Sequence, residues 1–202
     1  NTDLKPVLLV DQTFADASIE FSAGSQDSFN QMLAWGLDKL KQDPKACLIA
    51  KVHPDVILGV KKGYLHQLMV PLLSGEFRSR IHFLGEDVSP TQLISICTEV
   101  ATVSSQLGFE ALWQDKPVTC FAWPFYAGRG LTEDLAQNPL PYKRTEVSLN
   151  ELLHGALIQY PTYLHPDTQT ECEVESILDY LHAQFMSRSW GCGQLIVPDV
   201  SL

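Results

Sequence analysis

Several polar residues that could hold a phosphorylated ligand stand where an apolar run stops. The run at 100–103 is followed at once by Ser104 and Ser105, then Gly108, with Phe109, Leu112 and Trp113 at helical spacing. Strand, small polar turn and helix make an anion site. The first amides of a helix lack internal partners, and its dipole adds partial positive charge there. Ser104 and Ser105 add hydroxyls without bulk. Gly108 would let backbone approach a ligand, and Glu110, one turn in, could take ribose hydroxyls. The same residues also fit an ordinary turn with a serine cap and a solvated glutamate, so this stretch alone leaves the two readings level.

Other strand ends shift the balance. The run 47–52 ends in His53-Pro54-Asp55, with Lys51 two residues before the histidine. An imidazole can donate a hydrogen bond to phosphate, and Pro54 fixes the chain just beyond it. The run 7–10 precedes Asp11, Gln12 and Thr13, for which loop hydrogen bonding is the competing role. The run 118–122 opens onto a long irregular stretch, 123–147, and ordered loops of that length are usually functional. Polar residues after several strands imply one crevice at the carboxyl edge of a parallel sheet.

That edge needs elements to hold it. Phe29, Met32, Leu33, Leu37 and Leu40 predict a one-faced helix over 25–41, ended by Asp43-Pro44. A strand is expected at 80–84, before Gly85, Glu86 and Asp87, and a loop with a short helix at 59–73. Ser89-Pro90 reads as a helix start. Capping boxes at Ser148/Glu151 and Thr170/Glu173 predict two further helices, the second carrying Val174, Ile177, Leu178, Leu181 and Phe185. Apolar runs without alternation indicate strands buried on both faces. The expected fold is α/β: a Rossmann-like parallel sheet with helices on both faces over 1–187, and a tail or linker over 188–202.

A net charge of −10 argues against nucleic acid and against broad adhesion to anionic lipid. No apolar run approaches the about 20 residues of a membrane-spanning helix. The five scattered cysteines, Cys47, Cys97, Cys120, Cys172 and Cys192, form no C-x-x-C pair and read as reduced. There is no D-x-D or H-E-x-x-H motif, so no metal is expected. Without G-x-G-x-x-G or a Walker A loop, neither NAD nor ATP is expected, and no cofactor is assigned.

Taken together, Lys51-Val52-His53-Pro54-Asp55, the segments 102–112, 124–134 and 157–166, Lys116-Pro117-Val118 and the opening 7–13 resemble the bacterial capsular polysaccharide β-Kdo transferases. The resemblance runs from about residue 7 to about 181, with one departure: Arg129 stands where the family usually has tryptophan. It implies the donor-binding, C-terminal half of a two-domain GT-B glycosyltransferase. That enzyme would be a retaining β-Kdo transferase building the Kdo linker of capsular polysaccharide on a lipid acceptor, with CMP-β-Kdo as donor.

His53 would be catalytic, holding the departing CMP phosphate with Ser104 and Ser105, and Lys51, Pro54 and Gln12 would belong to the same binding surface. Glu86 or Glu110 would take the ribose, a choice the sequence leaves open. Tyr126 and the 128–130 loop would lie against the Kdo, with Arg129 pairing its carboxylate. The acidic residues that act at the sugar lie, in the family, in a preceding domain. This chain shows no matching motif and is expected to bind donor without transferring sugar. Expected partners are the nucleotide sugar, the glycolipid acceptor through the missing domain, and other capsule assembly proteins. The expected location is cytoplasmic, with peripheral attachment to the inner membrane left open. The alternatives are a non-catalytic module of a capsule biosynthesis or export complex and, disfavoured by the 125–134 loop, a nucleotide-sugar epimerase.

Overall fold

The structure is a computed structural model that describes residues 3–85 and 88–190. Glu86, Asp87, Cys192 and most of the expected tail lie outside the described residues. The chain divides into two compact units, Asn1–Leu149 and Asn150–Leu202.

The first unit is built on the strands β1 (Lys5–Val10), β2 (Ala46–Lys51), β3 (Ile81–Leu84), β4 (Glu99–Thr102), β5 (Val118–Cys120) and β6 (Glu133–Asp134). All pair in parallel, in the order β3-β2-β1-β4-β5-β6. The order reverses between β1 and β4, the switch point of a doubly wound sheet, so the expected Rossmann-like fold is the one adopted. Val7 to Val10 are buried on both faces of β1, which explains the unbroken apolar run.

Alternation along the strands sorts residues to two layers. Val7, Leu9, Leu48, Ala50, Ala101 and Val103 pack against α2 (Gln26–Gln42) and α4 (Tyr64–Met69) through Phe29, Met32, Leu40, Leu65 and Met69. Each such fully buried side chain contributes roughly 1.5–3 kcal/mol. The intervening residues, among them Leu8, Val100 and Val118, face the side of α5 (Pro90–Ile96) and α6 (Gln106–Trp113), whose Leu93, Ile94, Phe109 and Leu112 are buried. Helix α2 starts where the Ser25 amide donates to the Ser28 hydroxyl at 3.2 Å and ends at Asp43-Pro44 as expected. Two short helices, α1 (Ala17–Phe21) and α3 (Pro54–Ile57), were not marked by periodicity and sit directly after the ends of β1 and β2.

The second unit holds α7 (Leu149–His154), which begins in the first unit's last residue and runs on into a single wide turn at Gly155–Gln159, then the hairpin β7 (Tyr163–Leu164) and β8 (Glu171–Cys172), and α8 (Val174–Trp190). The expected helix start at Thr170 is corrected. Thr170 belongs to the hairpin, where its carbonyl accepts the His165 amide at 2.9 Å, and α8 begins at Val174. Leu178, Leu181 and Phe185 of α8 are each more than half exposed. No helix of the described residues is long and apolar enough to cross a membrane.

Candidate functional site

An open crevice of about 1040 Å³ lies at the carboxyl ends of β1, β2 and β4. Its walls come mainly from residues at and just after these strand ends, with Ser18 of α1, the start of α6 and Phe125 beside them.

After β1, the Asp11 carboxylate accepts three backbone amides: Gln12 at 2.9 Å, Leu65 at 2.7 Å and His66 at 3.0 Å. The last two are orphan amides of the first turn of α4, so Asp11 caps that helix from another strand. Gly63 lies so close to Asp11 Oδ2 that a Cβ would collide with it. Burial pushes the Asp11 carboxyl above its ordinary range, while the three amides and His66 pull the other way. Of the two roles open to Asp11, the hydrogen-bonding one is thus filled.

Gln12 spans the switch point. Its Nε2 donates to Ser104 Oγ at 3.1 Å and Ser18 Oγ at 3.0 Å, and its Oε1 accepts the Ser104 amide at 3.0 Å. This fixes the turn after β4 to the turn after β1. Asp16 caps α1 by accepting the Ser18 amide at 2.9 Å. Burial pushes the Asp16 carboxyl up, but the bonds from Ser18 and Gln12 outweigh it and hold it below the usual carboxylate range.

Ser105 is the N-cap of α6. Its Oγ accepts the Leu107 amide at 3.3 Å and its own amide donates to Thr102 Oγ1 at 3.0 Å. The hydroxyl hydrogen of Ser105 therefore remains to be given to a ligand. Ser104 differs: its hydroxyl and amide are both engaged by Gln12, so it shapes the turn more than it offers donors. Across the crevice, half-exposed His53 accepts the Asp55 amide on Nδ1 at 3.1 Å. In the neutral ring that places the proton on Nε2, which becomes a donor. Asp55 Oδ2 pairs with Lys61 at 3.0 Å and lies 3.7 Å from His53 Nδ1. Lys51 lines the same wall, and Gln106 and Leu107 bring the start of α6 into it.

The structure thus brings Gln12, Lys51, His53, Ser104 and Ser105 together on one surface. It places Tyr126, Gly108, Arg129 and Glu110 elsewhere. Tyr126 is fully buried, its hydroxyl donating to the Ser105 carbonyl at 2.5 Å, so the expectation that it lies against a sugar is corrected. Gly108 is needed for that tyrosine: a Cβ there would strike Tyr126 Oη and sit 2.8 Å from Thr102 Cγ2. Close approach to a ligand is not its role. Arg129 lines neither the crevice nor its neighbour and donates through Nε to the Phe125 carbonyl at 2.8 Å. Half-buried Glu110, its carboxyl raised by burial, stands one turn along α6 and outside the crevice walls. Glu86 lies outside the described residues. Sequence reasoning passed over Asp16, Ser18 and Phe125, which complete the walls. The Asp16-Ala17-Ser18 spacing, an acidic N-cap before a short helix, was the one available signal for the first two.

Residues 1–163 match the family described as "Capsule polysaccharide biosynthesis protein". The chain belongs to that family. It is similar to the capsule polysaccharide modification protein LipA of Neisseria meningitidis, 36% identical over 179 residues that make up 87% of this chain and 24% of the relative. It is similar also to the lipopolysaccharide-processing protein LpsZ of Rhizobium meliloti, 34% identical over 86% of this chain and 37% of the relative. Among solved structures it resembles the KpsC β-Kdo 2,4 transferase of Thermosulfurimonas dismutans, with a TM-score of 0.74 and 35% identity over 88% of this chain and 52% of that one. The corresponding β-Kdo 2,7 transferase gives a TM-score of 0.66 and 30% identity over 92% of this chain and 55% of that one. The chain therefore spans about a quarter to about half the length of these family members.

Proposed function

We propose that the chain is the donor-binding part of a retaining glycosyltransferase that takes Kdo from CMP-β-Kdo and adds it to a lipid-borne saccharide of the capsule. The observation that carries this reading is the convergence of His53, Ser105 and the start of α6 on one crevice at the switch point. CMP leaves such a donor as a phosphate monoester, and charge develops on its oxygens as the glycosidic bond breaks. Donors already aimed at those oxygens lower the barrier without reorganising. His53 gives Nε2–H, Ser105 its hydroxyl and α6 its first amides, while Gln12 and Ser104 hold the turn in register. Lys51 adds positive charge to the same wall. Glu110 is the ribose partner in this reading, reached by a nucleoside lying along the first turns of α6.

Transfer also needs a carboxylate or equivalent group at the anomeric carbon. Here Asp11 caps α4, Asp16 caps α1 and Asp55 pairs with Lys61. The proposed source of that group is the further length that the relatives possess. Buried Cys47, Cys97 and Cys120, whose thiols are pushed up by burial, fit a reduced cytoplasmic setting. Calorimetry with CMP and cytidine tests the reading. CMP should bind measurably more tightly than cytidine and raise the melting temperature by mass action. Equal affinities, or no heat at millimolar CMP, would remove the phosphate site.

A further inference from the structure

Beside the crevice lies a recess of about 290 Å³, close to the lower size of small-ligand sites. It shares Ser18, Ser104 and Phe125 with the crevice, so the two are continuous. A ligand whose phosphate sits at the Ser105 turn would reach it with its next group.

Its walls have a distinct chemistry. Trp123, Phe125 and Phe21 provide aromatic surface, Phe125 and Phe21 being 45% and 89% exposed. The cation of the recess is Arg144. Its Nη1 donates to the carbonyls of Pro124 and, at 2.9 Å, Ala127, and its guanidinium carbon lies 5.8 Å from the Trp123 ring centroid. These contacts fix the guanidinium plane. Among the described residues no carboxylate forms an ion pair with Arg144, and its hydrogen bonds to the Pro124 and Ala127 carbonyls both leave from Nη1. Burial, and next the charge of Arg129, disfavour its charged form, while Tyr142 and Asp134 favour it without outweighing them. A held, partly desolvated guanidinium with no carboxylate in direct contact among the described residues is suited to a planar carboxylate, which it can take in two parallel bonds. The aromatic wall is suited to the apolar face of a sugar ring.

We infer that this recess is a subsite for the carboxylate of a sugar acid, with Arg144 as its partner and Trp123 as its platform. The inference rests on the donor reading above, which places the activated phosphate at the adjoining turn, and it makes Arg144, not Arg129, the residue that selects an acidic sugar. A carboxylate there could come from the donor or from a sugar acid in the acceptor; the shared contacts with the Ser104 turn assign the donor.

The test is titration of the chain with CMP, with freshly generated CMP-Kdo and with methyl β-Kdo glycoside, followed by the indole N–H resonance of Trp123, assigned with Trp123→Phe. CMP-Kdo should shift that resonance and CMP should not. Arg144→Gln should weaken CMP-Kdo about tenfold or more and leave CMP unchanged, since a charge-assisted pair is lost. Should that variant fail to fold, the indole resonance of the natural chain decides alone. Equal shifts with CMP and CMP-Kdo, or equal losses in the variant, overturn the subsite. If CMP does not bind but the glycoside shifts the resonance, the acid subsite stands, its source is the acceptor, and the donor assignment falls. If neither CMP-Kdo nor the glycoside shifts it, the subsite falls whatever CMP does.

Discussion

His53 and Asp11 both follow a strand of the same sheet, yet their surroundings assign them opposite work. His53 is half exposed and keeps a donor toward the crevice, whereas Asp11 is buried with its acceptors filled. His53→Ala should therefore weaken CMP by about 1.5–3 kcal/mol, the worth of a hydrogen bond to a charged group, and leave cytidine nearly unchanged. Parallel calorimetry on both ligands checks this. Asp11→Ala should lower stability by about 2 kcal/mol, measured by urea unfolding, because it uncaps α4. Two of the crevice aspartates, Asp11 and Asp16, should also titrate apart. By carbon NMR of the carboxyls, Asp11 should have its midpoint above the ordinary 3.8 and Asp16 below it. The signs follow from linkage. The raised Asp11 value means that stability is lost as pH climbs through its folded value. The depressed Asp16 value gives stability present above the unfolded value and lost as pH falls through the folded one. Coincident midpoints would contradict the picture in which burial dominates at Asp11 and hydrogen bonds dominate at Asp16.

At the scale of elements, the start of α6 is held by Thr102 at the end of β4 and by two pieces distant in sequence, Gln12 just after β1 and Tyr126 from the long loop. Asp134 braces that loop by accepting the Gly128 amide at 2.8 Å and the Thr132 hydroxyl at 2.7 Å. Tyr126→Phe should cost about 1 kcal/mol of stability and weaken CMP several-fold without touching the ligand. Thermal unfolding and calorimetry on the one variant separate the two effects. This coupling explains what could be read from the chain and what could not. The strands around 7–10, 47–52 and 118–122 were legible because burial on both faces leaves an unbroken apolar run. Ser105 as a helix cap was legible from its spacing. That Ser104 spends its hydroxyl on Gln12, 92 residues away, is a tertiary fact with no local trace. The family resemblance implied that Tyr126 faces the sugar, and only tertiary contacts, its bond to the Ser105 carbonyl and the space left by Gly108, show it turned inward. The two-residue strands β6, β7 and β8 are too short for a period to show.

At the scale of the molecule, the strand order places all these turns on one edge, and the matched family places that edge within longer proteins. A glycosyl transfer needs a site for the leaving phosphate and a group acting at the sugar, and in the proposed reading the crevice supplies the first. Incubated with CMP-Kdo and a Kdo-primed glycolipid, the chain alone should form no product, by mass spectrometry of the acceptor. Product formation abolished by Asp55→Asn would instead place the chemistry on this surface. The most direct test of the central claim is a crystal structure of the chain with CMP. The phosphate should lie within hydrogen-bond reach, about 2.7–3.2 Å, of His53 Nε2, Ser105 Oγ and the first amides of α6. Electron density for the phosphate away from the Ser105 turn, with His53 Nε2 facing solvent, would contradict it.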